Sequence, residues 1–178
     1  MGDALWRALE PSWGPARAVR GSQPFRAIDR PPAVAPDARV RRVRPDELGL
    51  LFPAAVAMFT EEVGVSPIVG DGATYRARVS NLVDTGRAWA VIEDGRVLFK
   101  AEVDSVSPAA SQVQGVWVEP SLRGTGMAAS CLAAVVRDAL AELAPAVTLF
   151  VNDFNLPARR AYRTVGFTEV AEFASVLF

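Results

Sequence analysis

Apolar and polar positions along the chain fall into two rhythms. Short apolar runs bounded by turn residues, at Ala88 to Glu93, Val97 to Val106, Gln112 to Val118 and Val147 to Val151, predict strands. Helical spacing predicts one helix from Pro45-Asp46-Glu47 through Phe59, where proline in the first turn and early acids suit a helix start, and a second over about Ala73 to Thr85, ending before Gly86. A third helix runs to about Leu143, and a fourth spans Leu156 to Val165. Strands at Arg39 to Arg44 and over Phe167 to Phe178 complete the set, and Asp94-Gly95 is a strong two-residue hairpin signal. The order β-α-α-β-β-β-α-β-α-β predicts an α/β (α+β) fold with a mixed sheet and helices packed on it, neither purely doubly wound nor all-antiparallel.

Residues 1–37 read differently. Prolines at Pro24, Pro31, Pro32 and Pro36 interrupt any long element, and the pattern around Leu5-Trp6-Arg7-Ala8-Leu9 supports one short amphipathic helix. A short strand over Pro24 to Ile28 fits, and the Pro-Pro-Ala-Val-Ala-Pro run reads as a semi-extended linker. Such a piece cannot bury a core alone. The expected division is residues 1–37, an extension or the remnant of a larger domain, and residues 38–178, a compact domain.

Composition narrows the chemistry. Of the 178 residues 51% are hydrophobic and the charges nearly cancel, at a formal −1, so no strong field draws nucleic acid or a membrane surface. There is no histidine and the single cysteine is Cys131, which removes Ser-His-Asp and Cys-His catalysis, an intramolecular disulfide framework and a cysteine zinc cluster. No metal is expected. No apolar run approaches the roughly 20 residues of a membrane span, the N-terminus lacks the order of a signal peptide, and the expected compartment is the cytoplasm. Proton transfer falls to a carboxylate, tyrosine, lysine, the cysteine or water.

The most informative segment is a glycine-rich turn between the strand ending Val116-Trp117-Val118 and the helix behind it: Arg123-Gly124-Thr125-Gly126-Met127-Ala128. Glycines allow a tight turn and close approach to a ligand, and the unpaired N–H groups at a helix start favour an anion such as a pyrophosphate. A P-loop is excluded by the missing Gly-Lys-Ser/Thr, and a dinucleotide fingerprint by the three antiparallel-looking strands before the turn.

This turn resembles the Arg/Gln-x-x-Gly-x-Gly/Ala motif of the GCN5-related N-acetyltransferase (GNAT) superfamily, and Asn155-Leu-Pro-Ala158-Arg-Arg-Ala-Tyr162-Arg-Thr-Val-Gly166-Phe167 resembles its second signature. The element order from Arg39 to Phe178 is similar too. The resemblance implies a GNAT-like, mostly antiparallel central sheet flanked by helices, and acetyl-CoA as cosubstrate. It implies that the N–H groups of Gly124, Thr125, Gly126, Met127 and Ala128 bind the pyrophosphate, with Arg123 as a cationic contact. It also implies that Val116, Trp117 and Val118 pair with pantetheine like an added strand. Asn155 and Tyr162 lie about two turns apart on one helix face. By resemblance Asn155 contacts the coenzyme and Tyr162 protonates the leaving thiolate; a thiol of pKa about 8.5 and a phenol of pKa about 10 suit those roles. Asn155 also suits an ordinary helix N-cap, and Tyr162 a packed core tyrosine.

The general base is less well marked, because the motif strand offers Gln112 and Gln114 where a carboxylate would serve. Glu102 and Glu119 are the nearest candidates, Glu61 and Glu62 are less direct, and a water chain is an alternative. By resemblance the region between the first two helices, Glu61 to Pro67, forms a wall of the acceptor site, where acids favour a cationic amine. Cys131 reads as a buried small hydrophobe. Trp117 either packs on the sheet or borders the acceptor channel. The expected function is an acetyl-CoA-dependent N-acyltransferase moving an acetyl group to a primary amine, small-molecule or protein-borne, by direct attack in a ternary complex. The alternatives are a non-catalytic acyl-CoA-binding sensor or scaffold and an interaction module that keeps only the fold. A homodimer is compatible with either.

Overall fold

Elements are numbered here along the computed structural model, which describes residues 2–178. Helix α1 (Gly2–Trp13) and strand β1 (Ala18–Ile28) precede β2 (Arg41–Arg42), α2 (Leu48–Val63) and α3 (Ala73–Asp84). Strands β3 (Ala88–Glu93), β4 (Arg96–Val106) and β5 (Ser111–Val118) follow, then α4 (Met127–Glu142), β6 (Val147–Phe150), α5 (Leu156–Val165) and β7 (Thr168–Leu177). The strands form one sheet in the order β2-β3-β4-β5-β6-β1-β7, antiparallel throughout except for the parallel pair β5 and β6.

The two faces follow from strand alternation. On β3, Trp89 and Val91 join a core with α4 and α5, while Ala88 and Ala90 join a second core with α2 and α3. Helix α4 is apolar nearly all round and lies deep: Cys131 through Val136 are all buried. Asp94 and Gly95 turn the β3–β4 hairpin with φ of 49° and 71°, the paired left-handed geometry that hairpin twist requires. Helix α2 is preceded by a 3-10 turn at Pro45–Glu47 and ends at Gly64, whose φ of 80° stops it four residues beyond the expected Phe59.

Two elements differ from expectation. The strand expected over Arg39 to Arg44 is ordered as a ladder only at Arg41–Arg42, where it pairs with Ala90 and Trp89 at the sheet edge. The N-terminal strand is longer than Pro24 to Ile28 and is interior: β1 lies between β6 and β7, pairing Phe25 with Phe150 and Ala27 with Thr168. The segment that could not bury a core by itself thus completes the far half of this sheet. From β1 the proline-rich run crosses the α4/α5 face, tied down by Ala33 N–H to Val165 C=O (2.8 Å) and Asp37 N–H to Ser130 C=O (3.0 Å). Helix α1 packs on β7, with Trp6 buried and edge-on to Phe178 at 5.8 Å.

Candidate active site

The parallel strands β5 and β6 pair only at Ser111 with Val147 and Gln112 with Thr148. Beyond that point they part, and a cleft of about 680 Å3 opens between them, closed by the C-terminal turn of α2, the glycine loop and α5. On the β4 side, β5 carries a bulge. Lys100 pairs with Trp117, but Glu102 pairs with Gln114, so one extra residue is accommodated around Gly115, whose φ is 59°. A Cβ on Gly115 would lie 3.0 Å from Lys100 Nζ, 3.1 Å from Glu102 Oε2 and 3.2 Å from Met58 Cε, so a side chain there is crowded as well as conformationally strained.

The glycine loop lines one end of the cleft. Gly124 and Gly126 have φ of 81° and 91°, and a Cβ on either would meet nothing within 4 Å. Gly126 is the N-cap of α4 and no side chain caps the helix, so its first N–H groups remain directed at the loop. Among the described residues, the N–H groups of residues 124–128 enter none of the loop's hydrogen bonds; Arg123 N–H and Ala129 N–H bond back to Pro120 and Gly126 carbonyls. That is an open donor cradle at the positive end of a long helix, which suits an anion.

Val116, Trp117, Val118 and Arg123 line the cleft together with Gly124, Gly126, Met127 and Ala128. Thr125 does not line it, since its hydroxyl turns back to donate to Leu122 C=O at 2.8 Å. The Arg123 guanidinium reaches across to Glu61 (2.8 Å) while its Nε donates to Val118 C=O (3.0 Å), and Trp117 Nε1 donates to the other oxygen of Glu61 at 3.4 Å. Trp117 therefore borders the cleft and also packs against the second core.

Asn155 caps α5, its Oδ1 accepting from Ala158 N–H at 3.2 Å, and it lines the cleft as well. Tyr162, two turns on, is buried at the cleft wall, and no hydrogen bond to its hydroxyl occurs among the described residues. Burial raises its pKa well above the usual phenol value, and the Glu62 carboxylate adds to the rise. Such a hydroxyl stays protonated. Glu62 stands on α2 at helical spacing from Met58, and both line the cleft. Nothing in the residue pattern distinguished Glu62 from Glu61.

The two expected base candidates lie outside. Glu102 is 1% exposed and sealed behind Gly115, its Oε1 bonded to Lys100 Nζ at 2.6 Å. Its Oε2 has no hydrogen bond and is 3.6 Å from an Arg78 nitrogen. Lys100, fully buried, was not anticipated, although a lysine inside Val97-Leu98-Phe99-Lys100-Ala101 is an outlier in an apolar strand. Glu119 does not line the cleft: it caps the short turn after β5, accepting from Ser121 N–H (2.8 Å) and its hydroxyl and facing Arg96, and these contacts hold its pKa down. Cys131 is buried beside Asp37, and desolvation pushes its thiol up to about 12, which leaves it without thiolate character. Among the described residues, no group of three or more His, Cys, Asp or Glu side chains could hold a metal ion, and no helix is long and apolar enough to cross a membrane.

Comparison with known proteins adds an independent line. The model of the Acetyltransferase (GNAT) family matches residues 68–167, and that of a domain of unknown function, DUF4081, matches residues 1–51. No curated protein matches the chain. Among solved structures, a GNAT-family acetyltransferase of Colwellia psychrerythraea superposes with a TM-score of 0.67 at 14% identity, over 98% of this chain and 61% of that one. A protein of Clostridium acetobutylicum described as a predicted acetyltransferase, solved with acetyl-CoA, gives 0.60 at 18% identity, over 75% of this chain and 92% of that one. A ribosomal-protein-alanine N-acetyltransferase of Brucella melitensis gives 0.59 at 15% identity, over 78% and 99%. The chain thus spans about three fifths of the Colwellia protein and nearly all of the other two.

Proposed function

The chain belongs to the Acetyltransferase (GNAT) family, and from that premise we propose that it is an acetyl-CoA-dependent N-acyltransferase, moving an acetyl group to a primary amine by direct attack in a ternary complex. The observation that carries this reading is the pairing, in one cleft, of an open N–H cradle at Gly124 to Ala128 with a buried, protonated Tyr162. The cradle suits the pyrophosphate of the coenzyme, and glycine at 124 and 126 leaves the space a phosphate needs. Arg123 is a further phosphate contact once it leaves Glu61. The Val116 to Val118 stretch of β5, past its last pairing with β6, offers strand-edge groups to pantetheine.

With donor and acceptor held in the cleft, proximity supplies much of the rate. Backbone N–H groups near Val118 stabilise the developing oxyanion, and Tyr162 donates its proton to the departing sulfur. Asn155 keeps the start of α5 in place beside the coenzyme. We place the catalytic unit in residues 38–178, because every residue lining the cleft lies there. Residues 1–37 are then an extension that supplies β1.

Thiol release from acetyl-CoA across a panel of amines tests the proposal. Tyr162→Phe is expected to lower kcat by roughly 100- to 10,000-fold, on the order of a lost general acid, with little change in acetyl-CoA affinity. Unchanged turnover in the variant removes Tyr162 as the acid. Coenzyme binding without release of thiol with any amine favours the sensor or scaffold reading.

A further inference from the structure

The acceptor side of the cleft is set by charge. The two carboxylates lining it are Glu61 and Glu62, at the end of α2. Glu61 is engaged by Arg123 and Trp117. The Glu62 carboxylate has no hydrogen bond or ion pair among the described residues, while its backbone carbonyl accepts from Arg20 of β1, which ties down the end of the helix. Met58 one turn earlier on the same helix face touches the Gly115 position, so α2 is packed against the cleft floor there. Glu62 is close enough to Tyr162 across the cleft for its charge to disfavour the phenolate. Glu102, behind Gly115, adds no net negative character to the floor, because Lys100 Nζ holds its Oε1 at 2.6 Å and an Arg78 nitrogen stands 3.6 Å from its Oε2.

We propose that Glu62 is the acceptor-recognition residue of this cleft: it selects an acceptor that arrives as an ammonium cation, binds that ammonium opposite Tyr162, and takes its first proton. This rests on the N-acyltransferase reading and deepens it. The ammonium gives one proton to Glu62, which passes it to solvent at the open mouth of the cleft. The free amine nitrogen then forms a bond to the acetyl carbon and the carbon–sulfur bond breaks. Tyr162 gives its proton to sulfur, and the second proton shed by nitrogen restores the tyrosine hydroxyl. The sum is an amide, a thiol and one proton released. When Arg123 turns to the phosphates, Glu61 still has Trp117 Nε1 on one oxygen, so Glu62 is the carboxylate of the two with no partner of its own. Glu102, behind Gly115 and paired with Lys100, is out of reach of an acceptor.

The test is calorimetric binding of benzylamine, spermidine and Nα-acetyl-lysine amide, with benzyl alcohol as the uncharged comparator, to the CoA-saturated protein and to its Glu62→Gln variant, followed by turnover of the same amines. Glu62→Gln keeps the shape and removes the charge at an exposed position. At least one of the cationic probes is expected to bind about tenfold more weakly to the variant, whose neutral amide offers the ammonium a hydrogen bond without the opposite charge, with benzyl alcohol and CoA affinities unchanged. Equal affinity of the two proteins for every cation, or no binding of any cation to the wild type, overturns the proposal. If the wild type binds the cations in a Glu62-dependent way but releases no thiol, the N-acyltransferase reading fails and the recognition role stands.

Discussion

Replacing Gly115 with alanine probes the point at which the strand bulge, the buried ion pair and the cleft meet. Its φ of 59° is in the left-handed region, where a Cβ costs roughly 1–2 kcal/mol. The added methyl also has no room: it would stand 3.0 Å from Lys100 Nζ, 3.1 Å from Glu102 Oε2 and 3.2 Å from Met58 Cε. Lys100 and Glu102 are 0% and 1% exposed, so neither can swing into solvent to relieve the contact. Breaking such a pair outright costs about 3–5 kcal/mol, and partial displacement costs a fraction of that. The sum is a destabilisation of about 3 kcal/mol, or a fall in Tm of roughly 6–12 °C for a domain of this size. Gly124→Ala is the internal control. Its φ of 81° carries the same backbone strain, but its Cβ meets nothing within 4 Å, so about 1 kcal/mol is expected. Urea unfolding followed by tryptophan fluorescence measures both variants. Equal losses for the two, within about 0.5 kcal/mol, refute the claim that Gly115 is held by crowding against a buried pair.

Two further expectations concern charge. Glu61→Gln is expected to tighten acetyl-CoA binding about two- to fivefold, because it releases Arg123 from a half-exposed pair worth under about 1 kcal/mol; weaker binding in calorimetry contradicts the competition between Glu61 and phosphate. Glu47 accepts from Arg41 Nη1 and Nη2 (2.7 Å each) and from Arg44 N–H (2.9 Å), and Arg41 above all holds its pKa at about 2. A carboxylate whose folded pKa lies below its unfolded one stabilises the fold above the unfolded value, here near 4.5, and loses that contribution as pH falls toward 2. Glu47→Gln is expected to be less stable at neutral pH by on the order of 2 kcal/mol, and to lose less on acidification between about pH 4.5 and 2 than the wild type; parallel stability curves sink this assignment.

Much of the fold was legible because its signals are local. The Asp94-Gly95 turn fixes a hairpin by itself, Gly166 ends α5 where expected, and β3 and α5 fall within the residues their patterns mark. The place of β1 was not legible, because Phe25 meets Phe150 and Arg26 meets Glu169 across more than a hundred residues and no local feature encodes that choice. Within the site, the glycine turn, Asn155 and Tyr162 announce themselves by spacing. Asn155 then proves to be a helix cap and a cleft residue at once, two readings that sequence had set against each other. Glu102 looked available because it stands on the strand beside the motif. The bulge at Gly115 sets it opposite Gln114, and Lys100, two residues earlier on the same strand, takes one of its oxygens. Glu62 could not be singled out, since what distinguishes it from Glu61 is the reach of Arg123 from the far side of the cleft.

The central claim is that the loop from Gly124 to Ala128 is the coenzyme cradle, and titration calorimetry of acetyl-CoA against the wild type and Gly126→Glu tests it most directly. The Gly126 position opens into the cradle and carries a φ of 91°, so a glutamate there brings strain and a negative charge to the site proposed for phosphate. The account predicts wild-type binding with a dissociation constant between about 1 μM and 1 mM and none in the variant, which should remain folded by circular dichroism. Equal affinity in the two proteins, or no binding of acetyl-CoA to the wild type, contradicts it.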